Sequence, residues 1–197
     1  MLERIAPYQA HSGLATPAFS GDFGVTITPR MMVNLIQVQL WPGTAKEGAK
    51  ALSSLVDPSV FETPCLVGVK ANGDRVTGIN IAPYRALLES ESGDLHRRIL
   101  AALGDAGITS DLTDARVAFA LSGPKTRFVL SKAVNLDLDP SVFALSTAAN
   151  SIIHHVPVTL VRHAIDAFDI YAPSSFAESV LEWVLDAALE VGYRVDG

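Results

Sequence analysis

Two eight-residue segments 81 positions apart, Ile36-Gln37-Val38-Gln39-Leu40-Trp41-Pro42-Gly43 and Val117-Ala118-Phe119-Ala120-Leu121-Ser122-Gly123-Pro124, carry the same pattern. Each is a strand-like apolar run ending in a Gly/Pro turn, and each is followed by residues at helical spacing. A repeated unit that leaves one sheet face apolar must bury that face against another layer. The flanking periodicities extend the match. Ala45, Ala49, Leu52 and Leu55 mark a helix over Thr44 to Leu55, with Lys46, Glu47 and Lys50 on its wet face. Cys65 to Lys70 and Val76 to Ile81 read as strands joined at Asn72-Gly73, both residues tolerating positive φ. A helix over Gly93 to Ala106 stops at Gly107 as a left-handed C′ residue.

In the second half, Arg116 to Leu121 is a strand. Ser122 serves as cap, Gly123 as turn and Pro124 as first residue of a helix to Ala133. Ser151 to Val156 and Val158 to Arg162 are strands broken by Pro157, and Ala167 to Ala172 is another. Ser174 or Ser175 caps the last helix, with Glu178 in the capping-box position, and Phe176, Val180, Trp183, Val184 and Ala187 recur at helical spacing until Gly192. The expectation is an α+β fold. Two pseudo-symmetric β-α-β-β-α halves, 31–110 and 111–197, form a single domain behind an extended N-terminal arm over 1–30. That arm holds Pro7, Gly13, Pro17, Gly21, Gly24 and Pro29, yet Leu14, Phe19, Phe23, Val25 and Ile27 suit a strap laid over a partner or the domain's own flank.

Charge narrows the function classes. Fifteen Lys+Arg against twenty-one Asp+Glu give −6, which excludes nucleic acid and anionic membranes as partners. The stretch Pro140 to Val161 has no Asp, Glu, Lys or Arg, but Pro140, Asn150, His154, His155 and Pro157 argue against a membrane span. No secretory signal is legible at the N-terminus, so the expected compartment is cytoplasmic. A single cysteine, Cys65, makes no internal disulfide; its setting between Pro64 and an apolar run suggests a buried, inert thiol.

The residues that could carry chemistry are few. His154, His155, His163, Asp166 and Asp169 form one polar cluster, but neighbouring strand residues face opposite ways, so at most one of His154 and His155 can join His163, and a third metal ligand is lacking. Ser122 lacks the flanking glycines of a nucleophile elbow. Gly68 to Arg75 lacks the Gly-Lys-Ser/Thr ending of a phosphate loop and explains itself as a hairpin. Asp137 and Asp139 before Pro140 fit a solvated loop edge. Trp41 and Trp183 are core residues or, if exposed, interface anchors.

Four blocks carry a family resemblance: Leu121-Ser122-Gly123-Pro124; Leu136-Asp137-Leu138-Asp139-Pro140 with Phe143; Asp166-Ala167-Phe168-Asp169-Ile170-Tyr171; and Ser175-Phe176-Ala177-Glu178-Ser179-Val180-Leu181-Glu182-Trp183. In order and spacing, this stretch resembles the gamma subunit of heterotetrameric sarcosine oxidases. Ala82-Pro83-Tyr84-Arg85-Ala86-Leu87-Leu88 is similar to the family's Gly-Pro segment, with Ala86 where an aromatic is expected. The resemblance implies an aminomethyltransferase folate-binding-domain-like fold. It also implies a non-catalytic structural subunit, with alpha, beta and delta subunits as partners, in a flavoenzyme that oxidatively demethylates sarcosine or a related N-methyl amino acid to glycine. The one-carbon unit would pass to tetrahydrofolate or leave as formaldehyde. By the same resemblance FAD, FMN, NAD, tetrahydrofolate and zinc belong to partner subunits, and this chain has no catalytic, cofactor-binding or metal residues of its own. Its partner contacts would be the arm from about Ala10 to Ile27 and one exposed sheet or helix face. The alternatives are a free-standing folate-binding aminomethyltransferase-like protein, with a pteridine between the halves, and a small-molecule sensor.

Overall fold

A computed structural model describes Gly13, Ala15 and residues 23–30, 34–72 and 74–196. In chain order its elements begin β1 (Val25–Arg30), β2 (Asn34–Leu40), α1 (Ala45–Ala51), β3 (Val67–Asn72), β4 (Asp74–Ala82), β5 (Arg85–Ser90), α2 (Leu95–Leu103) and β6 (Gly107–Asp111). They continue with β7 (Arg116–Ser122), α3 (Thr126–Ala133), β8 (Thr147–Ile153), β9 (Val156–Ala164), β10 (Ala167–Pro173), α4 (Ala177–Ala188) and β11 (Tyr193–Val195). Strand, helix, three strands, helix, strand thus runs from β2 to β6 and again from β7 to β11. The described residues pack as two compact units, one within 32–116 and 146–149, the other within 1–31, 117–145 and 150–197.

The first unit is built on a five-stranded sheet in the order β3-β4-β5-β2-β6, antiparallel at every step. Ile36, Val38 and Leu40 of β2 lie in one buried cluster with Ala49 of α1 and Leu95, Ile99 and Leu103 of α2. Each large aliphatic side chain buried there contributes about 1.5–3 kcal/mol relative to exposure. Leu35 is also fully buried, out of phase with Ile36, so both faces of β2 are covered. A 3-10 turn, Pro58–Phe61, closes over β4, and Gly78 admits it and Val56 ahead of it: a Cβ there would lie 3.1 Å from Val60 and 2.5 Å from Val56.

The second unit is built on a six-stranded sheet in the order β11-β1-β7-β10-β9-β8. This is the strand order of the first sheet with one strand added: β1, antiparallel to β7 and parallel to β11. Val25 and Ile27 of β1 are fully buried, as are Leu130 of α3 and Val180 of α4.

Several expectations are corrected. Val25–Arg30, assigned to the extended arm, is an interior strand of the sheet, because its buried Val25 and Ile27 alternate as a half-covered strand requires. Gly13 and Ala15 pair alongside β11; most of the rest of the expected arm, with Val33 and Gly73, lies outside the described residues. Strands β5, β6 and β11 lengthen the expected β-α-β-β-α order. The break expected at Pro157 falls at His154-His155. Pro157 is the second residue of β9, outside the ladder to β10, which runs only as far as Thr159, and its missing N–H leaves that ladder intact. Helix α2 stops at Gly104 (φ 52), whereas Gly107 is extended and opens β6. Gly107 is needed for close approach instead: a Cβ would lie 2.3 Å from the Gln39 carbonyl oxygen. Helix α3 begins at Thr126, two residues after Pro124, and α4 follows a 3-10 turn, Ser174–Phe176; neither has a side-chain cap from serine. Among the described residues no helix is long and apolar enough to cross a membrane.

Candidate functional site

Of the polar cluster singled out in the sequence, the fold brings His163 and Asp169 together. Asp169 on β10 and His163 on β9 share a sheet face, and His163 Nε2 lies 2.9 Å from Asp169 Oδ2. Arg30 Nη2 donates to the same oxygen at 2.5 Å, reaching from β1 across the intervening β7. Ala118, directly opposite Arg30 on β7, presents only a methyl group along that path. The Asp169 side chain is 9% exposed, against 37% for Arg30 and 40% for His163. A carboxylate this buried requires a cation, and the guanidinium supplies it. Sequence reading missed Arg30 because it fell in the presumed arm.

The other candidates take structural places. Asp166 accepts from Arg127 Nε at 2.8 Å. His154 and His155 form the turn between β8 and β9, His154 at φ 51, and the His154 ring tilts against the half-buried Trp183 indole with centroids 4.3 Å apart. Asp139 accepts from the Ser141 amide at 2.9 Å and its hydroxyl at 2.6 Å, and Asp137 accepts from the Asp139 amide at 2.9 Å. The Asp-x-Asp run is therefore a pair of successive turns, with the Ser141 hydroxyl and amide holding the Asp139 carboxyl below the usual carboxylate range. Ser122 ends β7 at the surface. Residues 67–82 form the hairpin read from the sequence, in register from Val67–Ile79 to Asn72–Asp74. Cys65 is exposed rather than buried: it sits at φ 62 in the turn before β3, its amide donating to Asn80 Oδ1 at 3.2 Å. Among the described residues, no three His, Cys, Asp or Glu side chains come together to hold a metal.

Arg162 is a further residue that sequence reading passed over. It is fully buried, donates to the carbonyls of Phe143, Ala164 (3.1 Å) and Ile165 (2.9 Å), and packs over the Phe168 ring. It pins the 137–145 loop to the β9–β10 turn.

The first unit carries a surface cleft of about 350 Å³ lined by Pro42, Gly43, Ala45, Lys46, Glu47, Glu62 and Tyr84. Pro83-Tyr84 is the two-residue connection of the β4–β5 hairpin, where Ala82 faces Arg85. Tyr84 has φ 59, the left-handed region that a tyrosine occupies at roughly 1–2 kcal/mol. A proline followed by positive φ is the type II pattern, which favours Gly or Asn at the second place. The strain is held by main-chain bonds on both sides: the Tyr84 amide donates to Phe61 O at 3.1 Å, and its carbonyl accepts from Leu40 N at 2.9 Å. Tyr84 stays 37% exposed, and Trp41, adjoining Pro42, is 44% exposed. No side-chain partner engages Lys46, Glu47 or Glu62 among the described residues. The cleft therefore offers an aromatic face, apolar walls and an excess of one negative charge.

Comparison with known proteins bears on both halves of the chain. It is 28% identical to the sarcosine oxidase subunit gamma of Corynebacterium sp. strain P-1 over 178 residues, 90% of this chain and 87% of that protein. Identity is again 28% with the subunit gamma of strain U-96, over 186 residues, 92% of this chain and 88% of its relative. The fold is similar to a chain of the heterotetrameric sarcosine oxidase from Corynebacterium sp. U-96 in complex with pyrrole 2-carboxylate, with TM-score 0.77 and 24% identity, over 95% of this chain and 96% of the other. It is also similar to the glycine cleavage system aminomethyltransferase T from Bartonella henselae, with TM-score 0.67 and 16% identity, over 96% of this chain but 57% of that one. The model of the sarcosine oxidase, gamma subunit family matches residues 51–190, a span that holds β3 through α4 and both Asp169 and Tyr84. With that match over most of its length, the chain belongs to the sarcosine oxidase gamma subunit family.

Proposed function

We propose that this chain is a structural, non-catalytic subunit of a sarcosine oxidase-like heterotetrameric flavoenzyme, which demethylates sarcosine or a related N-methyl amino acid oxidatively to glycine. The family match over residues 51–190 carries the reading. The disposition of its polar side chains supports it. Asp169 is occupied by Arg30 and His163, Asp166 by Arg127, and Arg162 by three main-chain carbonyls, so these polar groups serve the fold. The family reading, rather than any absence in this chain, assigns FAD, FMN, NAD, tetrahydrofolate and zinc to alpha, beta and delta partners, with the one-carbon unit passing to tetrahydrofolate or leaving as formaldehyde in those chains. The strand and helix order that recurs from β2 to β6 and β7 to β11 supports reading the fold as two related halves. The likeness to aminomethyltransferase T favours a second reading, a free-standing folate-binding protein.

Co-expression with the companion chains tests the assignment. A yellow complex that contains this chain and oxidises sarcosine is expected, whereas the chain alone shows no flavin absorbance and no oxidase activity. Oxidase activity of the chain alone would overturn the reading, and tight tetrahydrofolate binding by it would favour the second.

A further inference from the structure

We propose that the Tyr84 cleft is a docking pocket for an arginine side chain presented by a companion subunit; this rests on the subunit reading above. At about 350 Å³, near the bottom of the range for small-molecule sites, the cleft suits one long side chain better than a flavin or a dinucleotide. Charge chooses the occupant. Glu47 and Glu62 outnumber the one cation of the lining, Lys46, and among the described residues no ion pair engages the three, so an incoming positive charge meets carboxylates that need not break such a bond. Ring chemistry points the same way: a guanidinium stacks on the Tyr84 face while forking to a carboxylate, a combination that the ammonium of lysine does not match. Tyr84 is held in a backbone conformation that glycine would adopt with less strain, and its main chain is fixed by Phe61 and Leu40, so the point from which the ring projects is set before any partner arrives. Trp41, next to Pro42 in sequence, is exposed as well, an anchor type concentrated at interface hot spots.

The test uses the co-expressed complex, with an affinity tag on a companion subunit, and compares wild type with Tyr84→Gly and with the double substitution Glu47→Gln/Glu62→Gln. Thermal melts of the variant chains are expected at or above the wild-type temperature, which separates docking from folding. Tyr84→Gly is expected to weaken association at least about tenfold. The double variant is expected to weaken it and to flatten its dependence on salt between 50 and 500 mM, about the range over which screening changes most. Wild-type assembly with both variants retained equally would overturn the docking pocket and leave the subunit reading standing. A wild-type chain that joins no companion would overturn both.

Discussion

Arg30 of β1 donates to Asp169 of β10 at 2.5 Å across the strand between them, joining residues 139 positions apart in sequence. Replacing Asp169 by alanine leaves the guanidinium without its carboxylate. Because Arg30 remains partly in water, the expected cost is about 2 kcal/mol, that of a charged hydrogen bond and below the roughly 3–5 kcal/mol of a fully buried broken pair. Arg30→Ala strands the buried carboxylate with His163 alone and is expected to cost as much or more. Urea denaturation of both variants and of the double variant gives the coupling; additive single effects would refute it.

Arg162→Ala removes donors from the carbonyls of Phe143, Ala164 and Ile165 inside the fold. A loss of about 3 kcal/mol or more is expected, since buried acceptors are left without partners. Arg162→Lys, which cannot span the three carbonyls as a planar fork, is expected to recover less than half of that loss. Midpoints of denaturant unfolding measure both.

Two glycines in one unit separate close packing from ordinary turn chemistry. Gly107→Ala forces a methyl to within 2.3 Å of the Gln39 carbonyl oxygen, so β2 and β6 must part locally, at about 1–3 kcal/mol. Gly43 has open space where its Cβ would stand and no positive φ, so Gly43→Ala is expected to change stability by less than about 0.5 kcal/mol. Equal effects in thermal melts would contradict this account.

Tyr84→Gly is expected to raise the stability of the chain by roughly 0.5–1 kcal/mol, the relief of left-handed strain being offset in part by glycine's greater unfolded-state entropy. Tyr84→Ala keeps the strained φ 59 and should bring no gain. A clear destabilisation by glycine in chemical denaturation would show that the ring, rather than the backbone, dominates at this position.

The Ser141 hydroxyl, with the Ser141 amide second, holds the Asp139 carboxyl below the usual carboxylate range. A carboxyl depressed in the folded state contributes stability that is complete above its unfolded pKa of about 3.9 and is lost as pH falls through the folded value. Ser141→Ala lifts the folded value toward the unfolded one. The variant is therefore expected to be less stable than wild type at neutral pH, the gap narrowing as pH falls from about 4 to 2. Stability measured across that range with an unchanging gap would exclude the linkage.

Legibility varied with the range of the interaction. The Ile36–Gly43 and Val117–Pro124 segments were readable as strand, turn and helix because alternation and turn residues act within a few positions. The hairpin at residues 72–73 was readable for the same reason. Pro157 misled because a proline near a strand start, clear of the ladder to β10, is compatible with pairing, and which residues are paired is a tertiary fact. Gly107 misled because sequence alone does not separate a glycine needed for φ from one needed for clearance. Strand β1 was hidden among Pro29 and nearby glycines, and Arg30 with it.

By itself, the sequence determined the local elements of the repeated pattern, the α+β class and, through the order of four blocks, the family. These depend on residue period, turn chemistry and composition, which travel with the chain. Tertiary structure alone decided that β1 fills the place between β7 and β11, that Asp169 is matched by Arg30 as well as His163, and that Tyr84 stands strained beside a cleft. The reason is distance along the chain: a buried carboxylate selects its cation by where strands pair, and a residue accepts left-handed strain only where remote hydrogen bonds hold it.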